Sequence, residues 1–160
     1  MSDRPVRSAV KALIVQDGKL LTVCGQDSDG AYYSLPGGGQ IRGETLHEAL
    51  RRECREEVSV DVEVGPLRYV RDYIAAHHEF ARQSPDFHQV EFWFRCRLAD
   101  GQSAALGDTP DPEQTGVAWL PLDDLGGFRL YPAVLKTLPL HAEAESGATP
   151  AATVYLGDVN

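Results

Sequence analysis

The sequence has few of the features that mark secreted, membrane-spanning or zinc-binding proteins. Its 160 residues include three cysteines, Cys24, Cys54 and Cys96, and no C-x-x-C pair. We therefore expect reduced thiols, no structural zinc and a cytoplasmic location. The N-terminal MSDRPVRSAV lacks the apolar core of a signal peptide, and no apolar run reaches the roughly 20 residues of a membrane span.

Basic residues are also scarce. Lysine and arginine total 15 against 24 acidic residues, which gives a net charge of −9 and a pI near 4.9. Proteins that bind nucleic acids usually present a basic face, so we expect neither a nucleic-acid polymer nor a membrane as partner. A small phosphorylated ligand stays compatible, because a metal ion can neutralise it locally.

The chain length suits one domain. We assign residues 1–140 to it and interpret 141–160 as a linker-like segment followed by a short strand. That strand either joins the same domain or forms a homodimer contact, and the sequence does not decide between them.

The most informative stretch is GGGQIRGETLHEALRRECREEVSV, residues 37–60. Thr45 and Glu48 match a capping box, and the following residues lack glycine and proline, so we predict a helix from Thr45 to near Ser59. At about 100° per residue, one arc of this helix is apolar. It comprises Leu46, Ala49, Leu50 and Cys54. Three carboxylates lie on the same arc or at its edge: Glu53, Glu56 and Glu57.

Carboxylates in this arrangement are unfavourable without a cation. Like charges at i,i+3 and i,i+4 repel by roughly 0.2–0.5 kcal/mol per pair, and the helix C-terminus disfavours anions. Mg²⁺ binds through a few carboxylates together with substrate phosphates, and Arg52 is placed to orient Glu56. A solvated acidic helix end is the alternative, which the angular position of the glutamates disfavours.

The spacing of these residues resembles the signature of the Nudix hydrolases. Gly38 is followed after five residues by Glu44 and after seven more by RECREEVSV, which ends at Val60. Cys54 replaces a bulky aliphatic residue, which a buried thiol can mimic. Ser59 replaces a glycine, which costs roughly 1–2 kcal/mol if the position is left-handed.

The resemblance implies an α/β sandwich with a mixed sheet between helices, and hydrolysis of a nucleoside diphosphate linked to another group. It implies Mg²⁺ or Mn²⁺ held by Glu53, Glu56, Glu57 and the Gly37 carbonyl, with Arg52 and Glu44 orienting the cluster. Glu56 or a loop glutamate, Glu113, would be the general base. Glu91, in a predicted strand, is a third candidate.

The substrate is less defined by the sequence. The downstream marker residues of ADP-ribose and dinucleoside polyphosphate hydrolases are missing near Ala75–His77, so we favour a nucleoside triphosphate or related nucleotide. An ADP-ribose or nucleotide-sugar pyrophosphatase is the first alternative. A noncatalytic nucleotide sensor is the second, and it is disfavoured because all three metal glutamates are present.

Candidate substrate-binding residues come from the strands and the loop after the acidic helix. Tyr73, Phe87 and Trp93 have rings that could stack on a base, although each also suits the core. The polar segment His77–Phe87 is either a lid that contributes Arg82, Asp86 or Phe87, or a mobile surface loop. His77 and His78 would face opposite ways on a strand, which predicts two separate surface histidines.

The remaining pattern predicts the other elements. Ser8–Gln16 and Leu20–Cys24 form a hairpin through Asp17-Gly18. The strand after the helix breaks at Gly65-Pro66, His88–Leu98 is a buried strand, and Tyr131–Leu138 is a second helix that begins with Pro132.

Overall fold

Two mixed β-sheets form the framework of the fold in the computed structural model, which describes residues 4–144 and 152–160. The elements of the first sheet are β1 (Arg7–Leu13), β5 (Gly37–Gly39), β6 (Val62–Ile74), β7 (His88–Leu98) and β10 (Val154–Asp158). Those of the second are β2 (Val15–Gln16), β3 (Lys19–Asp27), β4 (Gly30–Ser34), β8 (Gln114–Pro121) and β9 (Leu130–Tyr131). The predicted α/β class is confirmed, with two sheets where the sequence suggested one.

The first sheet has the order β10-β6-β7-β1-β5. Strand β1 is parallel to β7 and antiparallel to β5, so that Lys11 lies opposite both Trp93 and Gly37. The C-terminal strand β10 pairs in parallel with β6 on its own sheet. Most of the linker-like segment predicted before it, residues 145–151, lies outside the described residues.

The helix α1 (Leu46–Val58) packs against β5 and β1, and its ends match the prediction. The Thr45 side chain accepts from the Glu48 N–H, and the Glu48 carboxylate accepts from the Thr45 N–H. At the other end Ser59 adopts a left-handed conformation with φ 58°. Cys54 is buried and behaves as a small apolar residue.

The core is divided between two apolar clusters on opposite faces of β7. Phe94 and Cys96 face α1, whereas Trp93 faces Leu13 and the short helices that follow β8. These are 3₁₀ helices, as is the one after β6. Their bounds are Ala75–His77, Leu122–Gly127, Ala133–Thr137 and Leu140–Ala144. Within the described residues, no helix is long and apolar enough to span a bilayer.

The hairpin at Asp17-Gly18 is confirmed, but the strand before it is not continuous. Both turn residues have positive φ, as a two-residue hairpin requires. Before the turn the chain leaves the first sheet at Leu13 and enters the second at Val15. Leu13 and Ile14 are both buried, because a chain that crosses between two sheets has no solvent face.

The predicted second α-helix over Tyr131–Leu138 is wrong. A single 3₁₀ turn, Ala133–Thr137, occupies this segment. Pro132 is extended, with ψ 150°, so it precedes the turn and does not begin an α-helix. Leu138 precedes Pro139 and is also extended, as steric contact with a following proline favours. Five residues between these limits cannot make an α-helix of useful length.

The strand after α1 carries the predicted irregularity. The pairing of β6 with β7 shifts register between Val64 and Leu67 and again before Tyr69.

The two adjacent histidines, His77 and His78, do not face opposite ways as predicted, because both rings contact one carboxylate. His77 is exposed, as expected of a surface histidine, whereas His78 is partly buried. His77 Nδ1 and His78 Nε2 lie 2.6 Å and 2.7 Å from the two oxygens of Asp158. The histidines sit at the 3₁₀ turn after β6, where the alternation of a strand no longer holds.

The left-handed Ser59 generates a prediction for stability. Ser59→Gly should raise the free energy of unfolding by about 1 kcal/mol, because glycine adopts positive φ without a Cβ clash. Urea denaturation with an unchanged m-value would measure the gain. Ser103→Gly is the matched control, since Ser103 is exposed and has no positive φ. It should be neutral or slightly destabilising, and an equal gain in both variants would contradict the explanation.

Candidate active site

The acidic half of α1 faces the sheet, as its angular position predicted. Glu53 is 9% exposed and Glu57 is 3% exposed, whereas Glu56 lies at the edge of the buried arc. Glu57 Oε2 accepts a hydrogen bond from the Gly37 N–H at 2.8 Å. Two buried carboxylates one turn apart therefore lie against the glycine strand β5.

The close approach of helix and strand depends on glycine. A Cβ at Gly38 would lie 2.5 Å from Glu53 Oε1, and one at Gly37 would lie 2.0 Å from the Val10 carbonyl oxygen. Gly37 also has φ 143°, which residues with a side chain rarely adopt. The sequence predicted a bare backbone at this point, and the structure adds that this backbone is a strand paired with β1.

Arg52 connects the polar groups of the helix. Its Nε and Nη2 donate to both oxygens of Glu44, at 3.1 Å and 2.7 Å. Its Nη1 donates to Glu53 at 2.8 Å and to Glu56 at 3.3 Å, and Nη2 also donates to the Gly39 carbonyl. One guanidinium thus fixes three carboxylates relative to the glycine strand, in the arrangement expected of an orienting residue.

Burial changes the proton affinity of Glu57. Desolvation raises the pKa of Glu57 to about 8, against the lowering effects of the Lys11 charge and the Gly37 N–H. The charges of Glu53 and Asp111 add to the increase. In the absence of a metal ion, the folded protein therefore binds a proton at Glu57 near neutral pH.

The loop between β7 and β8 is attached to the end of α1. The N–H groups of Ala105, Gly107 and Thr109 donate to the carbonyls of Val58, Glu57 and Glu56. These are carbonyls that a helix C-terminus leaves without intrahelical partners. A Cβ on Gly107 would lie 2.0 Å from the Glu56 carbonyl oxygen. The loop thereby brings Asp111 and Glu113 beside the acidic helix.

A groove runs from Glu57 toward the loop after β6. Its acidic end is a cavity of about 350 Å³ lined by Glu57, Asp111 and Glu113, together with residues of β3 and β4. Its aromatic end is a cavity of about 560 Å³. Tyr32, Ser34 and Glu113 line both, so that the two cavities are continuous. The aromatic end is lined by Tyr32, Tyr73, Phe80, Phe87 and Tyr131.

The structure brings two of the four predicted substrate-binding residues, and the candidate base Glu113, to this groove. Tyr73 and Phe87 line the aromatic end, and Glu113 accepts a hydrogen bond from the Tyr32 hydroxyl at 3.1 Å. Arg82 and Asp86 are exposed on the same loop, outside the residues that line the groove. The loop reaches the groove through Phe80, Gln83, Ser84 and Phe87 instead.

Trp93 does not belong with the substrate residues. It is fully buried, with Tyr69 against its ring and its indole N–H donating to Glu91 at 2.9 Å. Alternation along β7 places Trp93 on the face opposite to α1. Its ring is therefore not available to a base, and we correct that expectation.

Glu91 is a satisfied structural carboxylate. Burial alone would raise its pKa, but two hydrogen bonds from Arg71, the charge of Lys11 and the Trp93 N–H lower the pKa to about 2. Gln89 donates to the same carboxylate at 2.6 Å. A carboxylate held as an anion by four donors is a poor general base, which leaves Glu56 and Glu113 as the candidates.

Several groove residues were missed by sequence reasoning. Strand alternation was the available signal for Tyr32, because its neighbour Tyr33 faces the core. A lone charged residue in an apolar strand was the signal for Lys11. Phe80 and Tyr131 lie at irregular positions where no periodic pattern marks the direction of a side chain. Asp111, Ser34, Gln83 and Ser84 also line the groove and were missed, whereas Lys11 lines a smaller adjoining cavity.

The residues present fit a hard divalent cation. The donors next to Gly37 are carboxylate and carbonyl oxygens, which such cations prefer, and a cation would offset the burial of Glu53 and Glu57. Among the described residues, no three acidic, histidine or cysteine side chains already converge on one point. Arg52 and the Gly37 N–H hold the glutamates, so metal binding requires at least one carboxylate to turn.

Comparison with known proteins identifies the family. The NUDIX domain model matches residues 5–141. The chain belongs to the Nudix hydrolase family. Nucleoside triphosphatase NudI of Escherichia coli strain 55989 is 30% identical over 140 residues, covering 84% of this chain and 95% of that protein. NudI of Shigella flexneri matches equally well.

Solved structures with this fold include other Nudix proteins. An ADP-ribose pyrophosphatase from Streptococcus suis is 25% identical, has a TM-score of 0.63 and covers 96% of this chain and 100% of that chain. A MutT NUDIX hydrolase from Burkholderia pseudomallei is 25% identical with a TM-score of 0.61, covering 76% and 88%. The enzyme assignment inferred from the sequence is thus confirmed, and it disfavours the noncatalytic sensor.

The attachment of the β7–β8 loop to α1 generates a second prediction. Gly107→Ala should destabilise the protein by about 1–3 kcal/mol, as overpacking does, and should reduce turnover because Asp111 and Glu113 shift. Thermal unfolding and steady-state kinetics would measure both effects. Gly116→Ala is the matched control, because a Cβ there has open space. Similar behaviour of the two variants would contradict the steric argument.

The raised pKa of Glu57 generates a third prediction. Between the unfolded value of 4.5 and the folded value of about 8, the folded state binds more protons than the unfolded state. The metal-free protein should therefore lose stability as pH rises through this window, by up to about 1.4 kcal/mol per pH unit. Urea denaturation in EDTA from pH 5 to 9 would measure the slope.

Glu57→Gln is the variant that tests the origin of this slope. It cannot titrate, so the loss between pH 5 and 8 should be reduced in this variant. Glu63→Gln, at an exposed position of β6, should keep the wild-type slope. An unchanged slope in Glu57→Gln would show that another group titrates.

Proposed function

We propose that this Nudix hydrolase is a Mg²⁺-dependent pyrophosphohydrolase of nucleoside triphosphates or related nucleotides, with Mn²⁺ as an alternative metal. The observation that carries the proposal is the continuous groove. One end is lined by the buried Glu57 with the exposed Asp111 and Glu113, which suit a metal and a diphosphate, and the other has aromatic rings suited to a base. The similarity to NudI, a nucleoside triphosphatase, supports the same substrate class.

Each site residue has a proposed role. Glu53, Glu56, Glu57 and the Gly37 carbonyl would hold the metal, which when bound polarises the diphosphate and orients water. Arg52 fixes Glu53 and Glu56, and Glu44 fixes Arg52 in turn. Glu56 or Glu113 would accept the proton of the attacking water. Glu56 is more exposed than Glu53 and Glu57, whereas Glu113 lines both cavities.

The aromatic end would hold the nucleoside. Tyr32, Phe80 and Tyr131 pack edge to face around one wall, with ring centroids 6.4 Å and 5.6 Å apart. Tyr73 and Phe87 form the other wall. Base stacking on such rings tolerates different bases, which fits an enzyme that acts on a class of nucleotides.

A second candidate is an ADP-ribose pyrophosphatase or another hydrolase of a nucleotide joined to a sugar. It is favoured by the structural similarity to the Streptococcus suis ADP-ribose pyrophosphatase.

We further propose a cytoplasmic location and residues 1–140 as the catalytic domain. The exposed Val154 and Tyr155 of β10 make this edge strand the candidate contact of a homodimer.

The proposal is tested by a panel of nucleotides incubated with Mg²⁺ or Mn²⁺, with products measured by mass in ¹⁸O-labelled water. Nucleoside triphosphates should yield a monophosphate and pyrophosphate, and EDTA should abolish turnover. ADP-ribose turned over faster than every triphosphate would favour the second candidate. No hydrolysis of any nucleotide with either metal would contradict both.

Glu56→Gln is the fourth prediction. The variant should keep the fold, because Glu56 is only partly buried, and should lose about 10²–10⁴-fold in kcat, the range of a general base. Steady-state kinetics and circular dichroism would measure the two properties. Glu63→Gln should retain activity, and wild-type rates in Glu56→Gln would refute the assigned role.

A further inference from the structure

Lys11 is an unusual residue for its position. The chain has three lysines, and Lys19 and Lys136 are exposed. Lys11 lies in the middle of β1 between Val10 and Ala12, which are fully buried. Lysine is rarely placed within the core unless its ammonium has a partner.

The partners of Lys11 in the structure are weak. Its Nζ donates to the carbonyls of Leu35 and Gly37 at 3.5 Å and 3.4 Å, which are long hydrogen bonds to neutral oxygens. The other cations of the site are paired, Arg52 with glutamates of α1 and Glu44, and Arg71 with Glu91. Within the described residues, no carboxylate forms an ion pair with Lys11.

Lys11 lies next to the groove, in a small cavity that shares residues with it. Lys11 lines a cavity of about 90 Å³, shared with Ser34, Arg71 and Tyr131. Ser34 also lines both ends of the groove, and Tyr131 lines the aromatic end. The charge of Lys11 acts on both Glu57 and Glu91, which places it between the acidic helix and the buried ion pair.

We propose that Lys11 is a substrate-binding residue. Its ammonium binds a nonbridging phosphate oxygen of a diphosphate that lies next to Ser34. This inference rests on the proposed function, since it assigns the part of the same groove that neutralises the phosphate. An ammonium is a compact donor with three protons that suits a phosphate oxygen. Its existing contacts are weak enough to exchange for a charged acceptor, whereas the guanidinium groups of Arg52 and Arg71 are occupied.

The fifth prediction tests Lys11 by the binding of methylenediphosphonate, a diphosphate analogue that is not hydrolysed. Calorimetry at saturating Mg²⁺ should show about 10–100-fold weaker binding in Lys11→Met, the loss expected for a hydrogen bond to a charged group. Lys11→Gln, which can still donate to the Leu35 and Gly37 carbonyls, should be weakened similarly. Lys11→Arg should recover most of the affinity. Lys19→Met, an exposed strand lysine, should match the wild type.

Two results would overturn the assignment. Wild-type affinity for the analogue in both Lys11→Met and Lys11→Gln would show that the ammonium does not bind phosphate. Weaker binding of Mg²⁺ alone, with unchanged affinity for the analogue once Mg²⁺ is saturating, would show that Lys11 only secures the Gly37 carbonyl. Because the analogue needs no turnover, a clear Lys11 dependence in a protein that hydrolyses no nucleotide would contradict the proposed function and leave this assignment standing.

Discussion

The hydrogen bond from the Gly37 N–H to Glu57 is the contact on which the site depends. It joins the acidic face of α1 to β5, which pairs with β1, which pairs with β7. Most helices pack on a sheet through apolar side chains, and the first half of α1 does so with Ala49 and Leu50. The second half continues this packing with Cys54 and Val58 and adds a contact between carboxylates and bare glycine backbone. The carboxylates that attach the helix to the sheet are therefore the same groups that are candidate metal ligands.

This arrangement explains the number of donors around the acidic helix. A buried carboxylate without partners would be strongly unfavourable, and here each has one: Arg52 for Glu53 and Glu56, the Gly37 N–H for Glu57. The helix C-terminus adds its own negative potential, and three N–H groups of the β7–β8 loop meet its carbonyls. These donors hold the acidic residues near the groove, and the proposed metal would require a carboxylate to rotate away from them.

Sequence reasoning succeeded where a local pattern decides the structure. Neighbours in the chain determine three of the predicted features: the capping box, the burial of Glu53 and Glu57, and the Asp17-Gly18 turn. It failed where distant packing decides. The crossing between sheets at Ile14 depends on the second sheet, and the two faces of β7 are both buried, so that nothing in the sequence assigns Trp93 to one of them. The shared contact of His77 and His78 with Asp158 required a strand more than 70 residues away.

The same distinction separates the two ends of the groove. At the acidic end, Glu57 of α1 lies against β5, and these two elements are neighbours in the chain, so a short signature can specify their contact. The rest of this end comes from β3, β4 and the β7–β8 loop. The aromatic end takes Tyr32 from β4, Tyr131 from β9 and Phe80 from the loop after β6. That loop is anchored by Asp158, which binds His78, and His78 stacks on Tyr73 at 5.3 Å. The shape of the aromatic end thus depends on the C-terminal strand, and a family signature confined to residues 38–60 carries no information about it.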